Sequence, residues 1–240
     1  MATVAEALEL LSSGDLEVLG LIPYSSNYVF LVRVTSEQEE CLAVYKPTRG
    51  ERPLWDFPPG TLGAREAAAF AVSRAAGWSF VPPTLLRDDA PLGPGSLQLF
   101  IEHDPERHFF VLAEERLSDL VQLAAFDVVI NNADRKAGHV LEDGEGNLWA
   151  VDHGLSFNIE PKLRTVIWTF AADPLDASTR ARLECLRELL SDDAALGGEL
   201  ESLLSRSERR ATMARTSALL SEGRFPYPGD DYHHLPWPLI

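Results

Sequence analysis

Cysteine is nearly absent from this chain of 240 residues, which has only Cys41 and Cys185. With no CxxC pair and no Cys/His cluster at zinc spacing, a disulfide scaffold and a zinc-finger type of site are excluded. Each cysteine is expected to be a buried, reduced thiol. Positive charge is also scarce: 21 Lys and Arg stand against 37 Asp and Glu, a net charge of −16. Such a surface repels nucleic-acid phosphate and anionic lipid heads, so neither is expected as a broad-surface partner. No apolar run reaches the ~18 residues that a membrane span needs. The opening residues M-A-T-V-A-E-A-L-E-L-L have neither the basic nor the apolar region of an export signal. A soluble, reduced, cytoplasmic protein is expected.

Hydrophobic residues make up 45% of the chain, enough for a globular core. Val4, Leu8 and Leu11 have the spacing of a short helix that Gly14 stops. Three strand-like runs follow, at residues 16–22, 28–34 and 41–45, joined by two short polar turns, which reads as an antiparallel meander. Residues 48–60 carry Gly50, Pro53, Pro58, Pro59 and Gly60 and form a loop. An Ala-rich helix spans 61–76, and a fourth strand is expected at 96–102. Beyond residue 102 the character changes. Leu117, Leu120, Val121, Ala124 and Val128 make an amphipathic stripe over 114–130. Two short strands, 140–141 and 148–151, flank a turn, and helices follow across 176–222. The tail F-P-Y-P-G-D-D-Y-H-H-L-P-W-P-L-I holds four prolines and cannot be helical. Its Phe225, Tyr227, Trp237 and Leu239 predict an extended strap packed on the body. The expected fold is α+β in two lobes: an antiparallel-sheet lobe over 1–102 and a mainly helical lobe over 103–240.

The chemistry concentrates in two segments. One is N-N-A-D-R-K-A-G-H, residues 131–139, after the amphipathic helix. The other is D-H-G, residues 152–154, after the second short strand. A hairpin between them brings both ends to one place. Phosphoryl transfer needs one carboxylate to accept or orient the attacking hydroxyl proton and another to hold a divalent cation. A nearby cation stabilises the transferred group, and Lys136 is placed for that.

The run D-V-V-I-N-N-A-D-R, residues 127–135, resembles the D-Y-x-I-x-N-T-D-R run of type II phosphatidylinositol 4-kinases, within the phosphatidylinositol 3-/4-kinase superfamily. W-A-V-D-H-G-L-S-F, residues 149–157, resembles their A-I-D-N-G-L-A-F segment, and A-V-Y-K-P, residues 43–47, their G-V-F-K-P strand. The motifs fall in the family's order. The resemblance covers roughly residues 16–170 and implies a two-lobed protein-kinase-like fold with ATP and Mg²⁺ or Mn²⁺ as cofactors. It implies that Lys46 binds the α- and β-phosphates and that Glu66 pairs with Lys46. Ser25, Ser26 and Asn27 would form the phosphate-covering turn, and Leu99, Phe100, Ile101 and Glu102 the hinge beside adenine. Asp134 would be the catalytic base, Asp152 a metal ligand and His139 the second metal ligand.

Three departures accompany the resemblance. The phosphate turn has no glycine, so the hydroxyls of Ser25 and Ser26 stand where glycine usually allows close approach. His139 replaces an asparagine, and imidazole suits Mn²⁺ better than Mg²⁺. The family's membrane-anchoring cysteine cluster is missing. Three readings are in play: a phosphotransferase acting on a polyol or inositol, a lipid head group or a protein Ser/Thr; a nucleotide-binding pseudokinase acting as a regulatory or interaction module; and a metal-dependent hydrolase built on the Asp and His residues, against which the V-Y-K-P strand argues.

Overall fold

In the computed structural model, which describes residues 3–23, 27–191, 194–229 and 233–240, helix α1 (Val4–Ser13) begins at a capping box. The Thr3 hydroxyl accepts from the Glu6 N–H at 3.3 Å, and the Glu6 carboxylate accepts from the Thr3 N–H at 2.6 Å. Strands β1 (Asp15–Leu21), β2 (Phe30–Thr35) and β3 (Glu40–Pro47) form the expected meander. Helix α2 (Leu62–Ala75) follows the proline-rich loop, and β4 (Thr84–Arg87) and β5 (Gly95–Leu99) complete an antiparallel sheet ordered β1-β2-β3-β5-β4. Alternation along β3 sends Ala43 and Tyr45 to one face, where they pack with Leu11, Val32, Val34 and Leu97 under α1. Val44 and Lys46 take the other face, the one that α2 approaches.

The second part holds α3 (Phe109–Arg116), α4 (Val121–Ile130), the hairpin β6 (Val140–Glu142) and β7 (Leu148–Ala150), then α5 (Ala177–Leu189), α6 (Ala195–Glu201) and α7 (Arg206–Glu222). Its core joins Phe126 and Val129 of α4, Leu183 and Leu186 of α5 and Leu219 of α7. Residues 68–72 of α2 enter the same core. The result is the expected two-lobed α+β fold.

Four element-level expectations need correction. Strand β4 was not anticipated; it is four residues long and follows Pro82 and Pro83, so it carries no usable alternation. The fourth expected strand ends at Leu99, not 102. The helix expected over 114–130 is broken: Arg116 leaves helical geometry at φ −148°, ψ 47°, and a 3-10 turn at Leu117–Leu120 separates α3 from α4. Arg116 is drawn out by Asp119, by Glu142 at 2.7 Å and by the Gly146 carbonyl at 2.8 Å. The described residues of the tail are extended, yet of the four side chains expected to pack only Phe225 is buried, whereas Tyr227, Trp237 and Leu239 are exposed. Backbone bonds hold it instead. The His234 carbonyl accepts from Thr165 N–H at 3.1 Å and Trp168 Nε1 at 2.8 Å, and the Leu239 carbonyl accepts from Ala137 N–H at 2.7 Å. Neither free cysteine is buried: Cys41 is intermediate, and Cys185 lies on the outward side of α5, where Leu183 and Leu186 turn inward. Among the described residues, no helix is long and apolar enough to cross a membrane.

Candidate active site

Lys46 reaches the cleft because β3 alternates, and Glu66 reaches it from α2. That helix is sheathed in alanine and buried nearly all round, so a carboxylate on it must find partners inside the protein. Glu66 has two: one oxygen pairs with the Lys46 ammonium, and the other accepts the backbone N–H of His153 at 2.9 Å. Lys46 also lies 3.0 Å from Asp152 Oδ1. Burial alone would lower the pKa of this ammonium, but Asp152 and Glu66 outweigh it, and Lys46 is firmly protonated.

Asp134 is fixed by a buried brace. Helix α4 ends at Asn131, which adopts φ 53°, the left-handed cap that asparagine tolerates. Asp127 is fully buried. Its carboxylate accepts from Arg135 Nη2 at 2.9 Å, from Asn132 Nδ2 at 3.1 Å and from the Thr165 hydroxyl at 3.3 Å. Arg135 Nη1 donates to the Val151 carbonyl at 2.8 Å, tying this loop to the end of β7. The Asn132 side-chain oxygen then accepts the Asp134 N–H at 3.0 Å. Asp134 itself is only partly buried and lies 3.0 Å from the Lys136 ammonium. Burial pushes its carboxyl up to about 6, against the pull of Lys136. The brace also removes Asp127 as an alternative base, because its oxygens are taken and sealed from solvent.

Asp152 stands at φ 59°, a left-handed conformation unusual for a non-glycine residue, which turns its carboxylate into the cleft. Burial opposes its charge, but Lys46 overrides this and keeps the group well below the usual carboxylate range. His139 Nε2 lies 3.3 Å from Asp152 Oδ2. Burial pushes its imidazole down to about 4, so the ring is neutral at neutral pH. The Lys136 N–H approaches its Nδ1 at 3.4 Å, a weak contact, so little is lost if the ring proton moves to Nδ1 and frees Nε2 for a cation. Among the described residues no group of three or more His, Cys, Asp or Glu side chains converges as a metal cage. Asp152 and His139 therefore fit a cation that takes its remaining ligands from phosphate and water, as Mg²⁺ in phosphoryl-transfer sites does.

A cavity of about 300 Å³ joins these groups, with Asn27, Lys46, Glu66, Asp134 and Asp152 on its walls. Asn27 also accepts the Arg52 N–H at 2.9 Å, which anchors the loop after β3. Ser25 and Ser26 lie outside the described residues. Leu99, Phe100, Ile101 and Glu102 line a different cavity, of about 1070 Å³. Leu99 stands three positions along β5 from Ser96, the register partner of Lys46, a span of roughly 10 Å at ~3.3 Å per residue. The sequence reading missed the Asp127–Arg135–Asn132 brace and Arg164, whose N–H donates to the Asn132 carbonyl at 2.8 Å. The polar residues in the otherwise apolar 127–135 run were the available signal.

The fold and the cleft between its parts define a protein of the two-lobed, kinase-like class. Solved structures of low identity share it. The Golgi casein kinase with Mn/ADP bound matches at a TM-score of 0.60 and 15% identity, over 95% of this chain and 80% of that one. The hydra Fam20 structure with sugar matches at 0.63 and 17%, over 91% and 87%. No family model matches the sequence. A curated relative does: Protein Rv2133c of Mycobacterium tuberculosis (strain ATCC 25618 / H37Rv) is 37% identical over 270 aligned residues, covering 96% of this chain and 94% of that protein. The chain belongs to the family of Protein Rv2133c.

Proposed function

We propose that this protein is an ATP-dependent kinase of phosphatidylinositol 3-/4-kinase-like type that moves the γ-phosphoryl group to a hydroxyl acceptor. The observation that carries this is the convergence of Lys46, Glu66, Asp134 and Asp152 on one cavity. In this reading the lobes are 1–102 and 103–240, and residues 99–102 join them beside adenine. Lys46, oriented by Glu66, holds the α- and β-phosphates, and Asn27 borders the covering turn with Ser25 and Ser26. Asp152 and His139 hold Mg²⁺ or Mn²⁺, which neutralises phosphate charge when bound. Asp134 takes the proton of the attacking hydroxyl, and Lys136 offsets charge on the group in transfer. The Mn/ADP complex of the Golgi casein kinase supports nucleotide and metal as cofactors for this fold.

The test is ADP formation from ATP with Mg²⁺ or Mn²⁺ across polyol, lipid and peptide acceptors. Acceptor-dependent turnover is expected. A protein that binds ATP but neither transfers nor hydrolyses it under any metal defeats the reading. That result moves the assignment to a nucleotide-binding pseudokinase, which the glycine-free turn and His139 favour.

A further inference from the structure

Lysine occurs three times in the chain, as Lys46, Lys136 and Lys162. Lys46 lines the candidate cleft, Lys136 meets it through Asp134, and each of the three is already paired. Lys46 is held by Glu66 and Asp152, Lys136 by Asp134, and Lys162 by Asp56 at 3.0 Å with its ammonium over the Trp55 ring. Arg164 is different. Its backbone is pinned to the candidate catalytic loop on both sides: its N–H donates to the Asn132 carbonyl at 2.8 Å, and its carbonyl accepts from Arg135 N–H at 2.9 Å. Its Nε donates to the His233 carbonyl of the tail at 3.0 Å, which fixes the direction of the guanidinium. Among the described residues, its two terminal nitrogens make no hydrogen bond or ion pair. Through its two backbone bonds Arg164 flanks the segment that carries Asp134, and its charge is the smallest of the effects that favour the ionised form of that carboxyl. Carboxylates outnumber cations 37 to 21 here, so a partly buried, positioned guanidinium whose two terminal nitrogens have no partner among the described residues is not explained by a shortage of anions. A guanidinium with its Nε engaged still presents two parallel donors, the fork that matches phosphate or carboxylate.

We propose that the acceptor is a small hydroxyl compound that itself carries a phosphate or carboxylate group, and that Arg164 binds that group. This rests on the phosphotransferase reading and names its substrate class. The acceptor hydroxyl oxygen forms a bond to the γ-phosphorus and its proton passes to Asp134. The bond from that phosphorus to the β,γ-bridging oxygen breaks, and ADP leaves with the electron pair. The acceptor's own anionic group is unchanged. Such an acceptor needs only a local cationic anchor, whereas a bilayer of anionic lipid or an acidic protein meets the whole surface at net −16.

The test compares glycerol, glycerate and glycerol 3-phosphate, then inositol and inositol 1-phosphate, with a Ser/Thr peptide and anionic vesicles as further arms. Each is assayed by ADP formation on the full chain. The anionic small molecules are expected to have kcat/KM at least tenfold above their neutral parents. The ratio of glycerate to glycerol 3-phosphate reports which anion the fork prefers. Arg164→Ala is expected to raise KM for the anionic acceptors tenfold to a hundredfold while moving KM for the neutral parents less than twofold, and Arg164→Lys to recover part of the loss. Equal loss for charged and neutral acceptors overturns the inference, as does peptide or vesicle turnover exceeding every small anion. In those cases ADP formation still stands and the phosphotransferase reading survives. Absence of turnover with all acceptors, despite bound ATP, defeats both.

Discussion

Asp134 and Asp127 carry the same functional group eight positions apart, and the structure gives them opposite tasks. Asp127 is satisfied four times over by Arg135, Asn132 and Thr165, and serves as an anchor. Asp134 is half-covered and faces the cavity, and burial raises its pKa to about 6. A base must be ionised to accept a proton, so activity should be full above this value and fall as pH drops through about 6. The acidic limb of kcat/KM for the acceptor is expected there. Asp134→Asn keeps the shape and loses the acceptor, so transfer should slow by about 10²–10⁴-fold with ATP affinity changed only a few fold. A variant as active as wild type, or a flat profile between pH 5 and 7, would remove Asp134 from the role of base. The candidate residues were legible because they stand in short contiguous runs: V-Y-K-P, N-A-D-R and D-H-G. Arg164 was not, because nothing in residues 155–175 forms a pattern until the backbone pairs them with 132–135.

Elements were legible where pattern and length agreed. The meander and α2 fall within two or three residues of their expected bounds. The break between α3 and α4 was hidden because the apolar stripe through Leu117, Leu120 and Val121 runs on across it; Arg116 broke the helix through partners 26 and 30 residues away. Helix α2 shows what periodicity leaves out. It has almost no stripe, because both faces are covered, and Arg65 is buried within it. Arg65 donates to the Ser156 carbonyl at 2.6 Å, pairs with Glu208 of α7 and lies 5.0 Å over the Phe57 ring. These contacts tie the helix bearing Glu66 to the second lobe. Arg65→Ala leaves Glu208 and the Ser156 carbonyl without their partner, and should cost about 3–5 kcal/mol in urea unfolding. A loss below about 1 kcal/mol would mean that the pair does not hold α2. Burial pushes the Glu208 pKa up, but bonds from Ser205 and charge from Arg65 outweigh it and lower it below the usual carboxylate range. Its contribution is thus present above about pH 4.5 and lost as pH falls through the folded value.

At the scale of the whole molecule, the net charge of −16 sets the condition for binding ATP. The triphosphate carries up to four negative charges into an acidic protein, and Lys46 is already shared between Glu66 and Asp152. One ammonium divided between two carboxylates cannot offset a triphosphate, so a divalent cation must supply the difference. The chain offers that cation Asp152 and His139, too few ligands for tight binding without phosphate oxygens. Metal and nucleotide should therefore bind together, each weakly alone. Calorimetry is expected to show ATP affinity rising at least tenfold when Mg²⁺ or Mn²⁺ is present, and Asp152→Ala abolishing that increment. Asp152→Ala also frees Lys46 from one of its two carboxylates, so metal-free ATP should bind the variant no more weakly than it binds wild type. That second sign separates loss of a metal ligand from collapse of the site, in which both affinities fall. Equal ATP affinity with and without metal in the wild-type protein would show that the cleft accommodates the triphosphate by other cations, and would take the metal role away from Asp152.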